Sequence, residues 1–163
     1  MRATLSIAAI LAMAMAGPAG ADGLPMVKFL PITVAAEAAQ AALASCAAQG
    51  LHVSVSVVDR SGVTRLLLVG DGAGPIAVET SRRKAYTAAA LGISTADMAA
   101  HDKAMTGPPM PPIDPVVLAL AGGLPIKVGS DVLAGIGVGG ADASDKDAAC
   151  AAAGLDKIKD RLK

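Results

Sequence analysis

Two strand–turn–strand patterns constrain the fold of this chain more than any other feature. In residues 51–59 apolar side chains alternate with His52, Ser54 and Ser56, which is typical of a strand with one buried face. Arg60-Ser61-Gly62 forms a tight turn and residues 63–69 a returning strand, so the segment predicts a β-hairpin. A second pair of strands is expected farther along the chain, at residues 124–128 and 132–138, joined by a turn at residues 129–131.

Helical segments flank and separate these hairpins. Their predicted bounds are Val34–Gln49, Pro75–Leu91, a segment that begins near Thr95 and ends by Gly107, and Ser144–Leu162. The expected caps are Thr33 for the first helix, Ser94 or Thr95 for the third, and a capping box of Ser144 and Asp147 for the last. Residues 116–121 are short and apolar, which fits a helix or a strand.

The order of these elements predicts the fold class. Two hairpins separated by helices favour an α+β fold with an antiparallel sheet and helices packed on it, rather than a doubly wound parallel sheet. The string Gly135–Gly140 does not fit a dinucleotide fingerprint, because it does not open a helix after a first strand. Its glycines instead predict close backbone packing in a central strand, and the Gly139-Gly140 end could bind an anion ahead of the last helix.

The N-terminal residues indicate an exported protein. Arg2 precedes the apolar run 5–15, and Ala19-Gly20-Ala21 is an A-x-A cleavage signature. This pattern predicts a signal peptide over residues 1–21 and a mature domain over residues 22–163, in the periplasm or secreted. The apolar run is shorter than the about 20 residues that span a bilayer, and the alternative is a buried N-terminal helix.

Charge and aromatic content exclude two classes of ligand. The chain has 14 basic and 14 acidic residues and no basic tail, so nucleic acid is not an expected partner. Phe29 and Tyr86 are the only residues of the Phe/Tyr/Trp class, which leaves recognition by stacking on bases or sugars poorly supported. No later segment predicts a membrane span.

Cys46 and Cys150 lie near opposite ends of the predicted domain. An exported protein meets an oxidising compartment, where a disulfide would be stable. The alternative is two free buried thiols on separate helices, and the sequence leaves both interpretations open.

Four strings, taken in order, resemble a known family. They are Val53–Asp59 with Ser61-Gly62, Asp71-Gly72-Ala73 with Pro75 and 83–88, Gly122–Ile126, and Gly135–Gly140 with Asp147 and Cys150. Together they are similar to the GlcG/HbpS family of haem-binding proteins, to which the C-terminal domain of PduO-type proteins also belongs. The resemblance covers about residues 32–162. It implies a profilin-like fold, with a five-stranded antiparallel sheet flanked by helices, and a homo-oligomer that is often an octamer. It also implies haem as the cofactor.

His101 is the predicted metal ligand. On a helix, Met98, His101 and Met105 fall on one face at i, i+3 and i+7, and imidazole and thioether groups can bind haem iron. The alternative is that both methionines belong to the core and His101 lies at its edge. His52, on the polar face of the first strand, is interpreted as a structural, hydrogen-bonded histidine.

Arg83 and Lys84 are further candidates for contact with a haem or another ligand. Either could pair with a propionate or another carboxylate. Asp59 could instead hold one of them internally, and a solvated surface is the default for such residues. Tyr86 could ligate ferric iron, although packing is the more ordinary role of a lone tyrosine.

Three functions follow from these observations. The first is an exported, oligomeric binding protein for haem or a related tetrapyrrole. The second is an enzyme or enzyme accessory that acts on a small organic acid through Arg83 or Lys84 and the glycine-rich loops. The third is an oligomer with a purely structural role. The sequence contains no nucleophile elbow, HExxH motif, CxxC motif or pair of catalytic carboxylates, so it assigns no catalytic residue.

Overall fold

A computed structural model describes residues 26–105 and 115–163 of the chain. The predicted signal peptide and nearly all of the proline-rich stretch 108–115 lie outside these residues. The elements are α1 (Ile32–Ala47), β1 (Ser54–Asp59), β2 (Thr64–Val69), α2 (Pro75–Leu91), α3 (Thr95–Ala104), β3 (Gly123–Val128), β4 (Asp131–Gly139), α4 (Ser144–Ile158) and a 3-10 turn (Lys159–Arg161). Both predicted hairpins and all four predicted helices are confirmed, with bounds that differ by a few residues.

The described strands form one antiparallel sheet in the order β2-β1-β4-β3. The α+β class is therefore confirmed, with four strands rather than five in the part of the chain that the structure describes. Residues 116–121, for which a helix or a strand was expected, form neither. Side chains of α2 bind the Val116 and Val117 carbonyls and the Leu118 amide, so these groups are not available to a neighbouring strand.

Helices cover both faces of the sheet. On one face, Val55, Val57 and Ile136 are fully buried in a core that α1 and α4 complete. Cys46 of α1 and Cys150 of α4 form a disulfide within this layer, with Cα atoms 5.6 Å apart. The alternative of two free thiols is therefore wrong.

The other face carries α2, which lies directly on the central strands. A Cβ atom at Gly137 would collide with the backbone of α2 at Ser81 and Ala85, so only glycine permits this approach. The prediction of close backbone packing at these glycines is confirmed. The prediction that β1 is a half-buried strand is wrong, because Ser54 and Ser56 on its polar face are completely buried. Ser56 shares a hydrogen bond of 2.9 Å with Ser81 of the helix.

Two of the predicted helix caps are wrong and one is confirmed. Helix α1 begins at Ile32, ahead of Thr33, with no side-chain cap. The capping box does not form, because α4 begins at Ser144 itself and the Asp147 carboxylate binds other groups. Ser94 caps α3, where its Oγ accepts a hydrogen bond of 3.0 Å from the Asp97 amide.

Candidate functional site

A cleft of about 490 Å³ opens where the start of α2 faces the connection between β4 and α4. Its volume lies within the range of about 300–1,000 Å³ that is usual for small-molecule sites. The lining residues are His52, Gly72, Gly74, Ile76, Ala77, Thr80, Lys84, Leu120, Gly140, Ala141, Asp142, Ala143, Ser144 and Asp147. The walls thus come from four places in the sequence: the residues before β1, the loop before α2 with the first part of α2, the segment before β3, and the β4–α4 connection with the start of α4.

A buried ion pair forms the floor of this cleft. The Lys84 Nζ atom lies 2.7 Å from the Asp147 Oδ2 atom, and the two side chains are only 3% and 4% exposed. Lys84 also donates to the Val138 carbonyl at 3.0 Å, and the Ala141 amide donates to Asp147 Oδ1 at 3.1 Å. The pair therefore joins α2, β4 and α4 at one point.

The electrostatics of this pair make the floor of the cleft neutral. Burial raises the pKa of the Asp147 carboxyl above its ordinary value, and the hydrogen bond and charge of Lys84 offset part of that rise. A carboxylate on a ligand would have to share the Lys84 ammonium with Asp147. This favours a polar anchoring role for the pair over an anion site.

Gly122 closes the cleft floor from the side of β3. Its φ of +121° is a conformation that L side chains rarely adopt. A Cβ atom there would lie 2.8 Å from the Asp147 Cβ and 2.9 Å from the Lys84 Nζ. Glycine at this position therefore lets the backbone before β3 pass against the ion pair.

His52 stands at the edge of the cleft with one defined hydrogen bond. Its Nδ1 atom lies 2.6 Å from the Asp71 carbonyl oxygen. A carbonyl oxygen only accepts hydrogen bonds, so Nδ1 carries the proton. In the neutral ring the lone pair is then on Nε2, which forms no hydrogen bond within the described residues. The prediction of a hydrogen-bonded histidine is confirmed, and the bond leaves one nitrogen able to bind a metal.

Two large aliphatic side chains provide the apolar part of the lining. Ile76 in the first turn of α2 is 78% exposed, and Leu120 before β3 is 49% exposed. Exposed aliphatic side chains that line a cleft mark surfaces that a bound ligand can cover.

Of the three residues predicted to form a metal-binding face, Met98 and His101 lie on α3 and Met105 follows its end, and all three lie outside this cleft. Met98 is half-buried and His101 is exposed, and Met105 follows the end of the helix with 65% of its surface exposed. None of them lines the cleft described above. The alternative assignment of both methionines to the core is wrong, since Thr95 is the buried residue of α3. Ligation by His101 stays a prediction.

Arg83 and Lys84 point to different surroundings although they are adjacent. Lys84 lies on the cleft floor, whereas Arg83 donates hydrogen bonds to the carbonyls of Pro115, Val116 and Val117. Asp59 holds neither of them, because its carboxylate accepts from the Ser61 and Val63 amides in the β1–β2 turn. The Tyr86 ring packs against Gly62 of the same turn.

Comparison with known proteins identifies the family. The model of a family described as "Haem degrading protein HbpS-like" matches residues 30–156. The chain belongs to the HbpS-like family. A crystal structure of HbpS is 40% identical to this chain, with a TM-score of 0.76, and covers 82% of this chain and 92% of its own. No curated protein matches the chain.

Two further structures support the HbpS-like fold. A double mutant of HbpS from Streptomyces reticuli is 35% identical, with a TM-score of 0.76, over 95% of this chain and 97% of that one. A PduOC:heme complex is 20% identical, with a TM-score of 0.71, over 80% and 96% of the two chains. At that identity the second likeness shows the fold alone. The resemblance drawn from the four sequence strings is confirmed.

Within this HbpS-like chain, sequence reasoning missed the ion pair on the cleft floor. A signal was present, since Lys84 lies on the same helical stripe as the small residues Ala77, Ser81 and Ala88, all of which are buried. A helical period of small residues predicts the buried face of α2, and a lysine on that face needs a carboxylate partner. The identity of that partner depends on the sheet order, which the sequence did not supply.

Among the described residues, no group of three or more His, Cys, Asp or Glu side chains could hold a bare metal ion. No described helix combines the length and the apolar character needed to cross a membrane.

Proposed function

We propose that this protein binds haem, or a related metal-containing tetrapyrrole, in the cleft, where His52 Nε2 would hold the metal. The family description names haem degradation, and the PduOC:heme complex shares the fold. The proposal replaces His101 with His52 as the first candidate ligand, because His52 is the histidine that lines the cleft.

The hydrogen bond between His52 Nδ1 and the Asp71 carbonyl carries this proposal. Metal-binding histidines almost always donate their second ring N–H to a carbonyl, carboxylate or water, which fixes the tautomer and makes the other nitrogen more basic. His52 has this arrangement at 2.6 Å.

The rest of the cleft fits a large apolar ligand. Ile76 and Leu120 would contact the macrocycle, and the neutral Lys84–Asp147 floor adds no net charge against it. Few aromatic residues are present in the chain, so aliphatic side chains would supply the apolar contacts. When bound, haem would supply an iron centre able to change its redox state, and the chain would supply the His52 nitrogen and the apolar walls.

A hemin titration of the purified protein tests this function. We expect saturable binding with a shifted Soret band in the wild type and in His101→Ala, and at least tenfold weaker binding in His52→Ala. Equal binding in His52→Ala together with loss in His101→Ala would assign the site to α3 instead. Binding that never saturates in the wild type would overturn the haem proposal.

A small organic acid is a second candidate ligand for the same cleft. Lys84 Nζ can donate three hydrogen bonds, and two of them go to Val138 and Asp147. The third N–H could meet a ligand carboxylate, as the sequence predicts for Lys84. Thermal stabilisation by small carboxylates but not by hemin would favour this candidate, and stabilisation by neither would favour a purely structural role.

We further propose that the protein is exported and works as a homo-oligomer in the periplasm or outside the cell. The disulfide between Cys46 and Cys150 supports an oxidising compartment. Val63, Leu67 and Val69, in and beside the edge strand β2, are 41–54% exposed and apolar, which supports burial against another subunit. N-terminal sequencing should find Asp22 first in the mature protein, and sedimentation should give a mass of several subunits, with an octamer as the family precedent. A retained Met1 and a monomer would overturn these two expectations.

A further inference from the structure

Arg83 holds one wall of the cleft through backbone carbonyls. Its Nη2 atom donates to the Pro115 carbonyl at 2.8 Å and to the Val117 carbonyl at 3.1 Å, and its Nε atom donates to the Val116 carbonyl at 3.1 Å. Arginine suits this task because its planar fork presents several donors in a fixed geometry. One side chain thus binds three consecutive carbonyls of the segment that precedes β3, residues 115–122, here called the wall segment.

A second residue of α2 extends this attachment. Thr87 Oγ1 accepts a hydrogen bond of 2.9 Å from the Leu118 amide and donates one of 2.8 Å to the Arg83 carbonyl. At the far end of the wall segment, the Gly122 carbonyl accepts from the Val138 amide at 2.9 Å. Leu120, which lines the cleft, lies between these two attachments.

The wall segment has neither helical nor strand structure of its own. Its position therefore depends on these side-chain and strand contacts rather than on a backbone ladder within the segment. Loss of the Arg83 guanidinium would remove three hydrogen bonds to the wall segment at once and leave the bonds at Leu118 and Gly122 on either side of Leu120.

We propose that Arg83 is a positioning residue that sets the place of Leu120 in the cleft and so controls how tightly an apolar ligand is held. This inference rests on the proposed haem function for the identity of the ligand. It differs from the direct pairing of Arg83 with a propionate that the sequence suggests, because the Nε and Nη2 atoms of the guanidinium already bind carbonyls.

A double-mutant cycle on hemin affinity tests the proposal. Arg83→Gln and Leu120→Ala should each weaken hemin binding about tenfold, as expected for losing the burial of one leucine-sized contact. The hemin affinity of the double variant should also be about tenfold lower than that of the wild type, rather than about a hundredfold lower, because both changes remove the same contact. A multiplicative loss in the double variant would overturn the coupling.

Three controls separate positioning from other roles. Arg82→Gln removes a neighbouring arginine that pairs with Glu79 on the surface, and it should leave the affinity unchanged. In Arg83→Gln, the affinity for hemin dimethyl ester should fall by the same factor as the affinity for hemin. A fall in the affinity for hemin alone would show that Arg83 pairs directly with a propionate, and it would refute positioning. Arg83→Lys, whose side chain can reach fewer of the carbonyls, should have a hemin affinity between those of the wild type and Arg83→Gln.

Hydrogen exchange gives a result that does not depend on haem. The Leu118 amide should exchange faster in Arg83→Gln than in Arg82→Gln, while the Soret band of the bound hemin keeps its position because His52 is untouched. Unchanged exchange of residues 115–122 would refute the attachment itself. If the wild type binds no hemin, the haem function fails, and the exchange experiment still decides whether Arg83 holds the wall segment.

Discussion

Replacing Lys84 by methionine tests how the cleft floor is held. The change keeps the length and most of the volume of the side chain but removes the ammonium, which binds Asp147 at 2.7 Å and the Val138 carbonyl at 3.0 Å. The Asp147 side chain, 4% exposed, would keep only the Ala141 amide as a partner. Leaving one charge of a buried pair without its partner costs about 3–5 kcal/mol, out of a total of about 5–15 kcal/mol for a domain.

Urea unfolding with the disulfide intact measures this cost. We expect a loss of about 3–5 kcal/mol for Lys84→Met, and little or no loss for the same change in an Asp147→Asn background, where the buried Lys84 ammonium has already lost its carboxylate partner. Lys146→Met is the matched control, because its pairing with Asp142 is exposed and contributes less than about 1 kcal/mol. The reasoning is refuted if Lys84→Met costs no more than Lys146→Met, or costs the same in both backgrounds.

Three further predictions concern stability. Replacing Cys46 and Cys150 together by alanine should lower the free energy of unfolding by about 4–5 kcal/mol, because the bridge closes a loop with a sequence separation of 104 residues. Urea unfolding curves of the oxidised wild type and of the double variant measure this loss, and a loss under about 1 kcal/mol would contradict the loop argument. Gly137→Ala should cost about 3 kcal/mol, since the new Cβ strikes the backbone of α2, whereas Gly74→Ala, with nothing within 4 Å, should cost much less by the same assay. Burial raises the pKa of Asp147, so the native state binds a proton more readily than the unfolded state and stability from this group is lost as the pH rises through the folded pKa. The difference in unfolding free energy between the wild type and Asp147→Asn should therefore grow in favour of the wild type as the pH falls from neutral toward the ordinary pKa of aspartate. A difference that shrinks over this range would contradict the upward shift of the Asp147 pKa.

The order and type of the elements could be predicted from the sequence because they depend on local patterns. Pro75 and Gly92 bound α2 as expected, and the turn after Asp59 separates β1 from β2. The predicted half-burial of β1 failed because the alternation of valine with serine describes polarity, whereas burial depends on what covers each face. Ser54 and Ser56 are small enough to lie under α2, so polar residues are buried at a helix–sheet contact.

The candidate site was harder to predict because its residues meet only through the tertiary fold. Lys84 and Asp147 lie 63 residues apart, and their pairing requires β4 to lie under α2 with α4 following directly. His52 was correctly expected to form a hydrogen bond, yet its cleft position depends on the Asp71 carbonyl and the Gly72 turn beside it. The metal site at Met98, His101 and Met105 was predicted from helical spacing alone. That spacing shows which side chains align on a helix, but it does not show whether a cavity lies beside them.

The conformation of residues 115–122 also depends on a residue that is far away in the sequence. The apolar sequence of residues 116–121 is compatible with a helix or a strand, and nothing in it indicates that Arg83 of α2 binds its backbone. Once α2 is placed, the carbonyls of residues 115–117 have a donor, and neither element forms.

The axial-ligand spectrum of the hemin complex tests the central claim most directly. His52→Met and His101→Met each replace an imidazole by a thioether, a change of axial ligand that alters the electronic spectrum of haem iron. At saturating hemin, we predict a changed Soret and visible spectrum for His52→Met and a wild-type spectrum for His101→Met. A wild-type spectrum in His52→Met would contradict the assignment of His52 Nε2 as the ligand in the cleft.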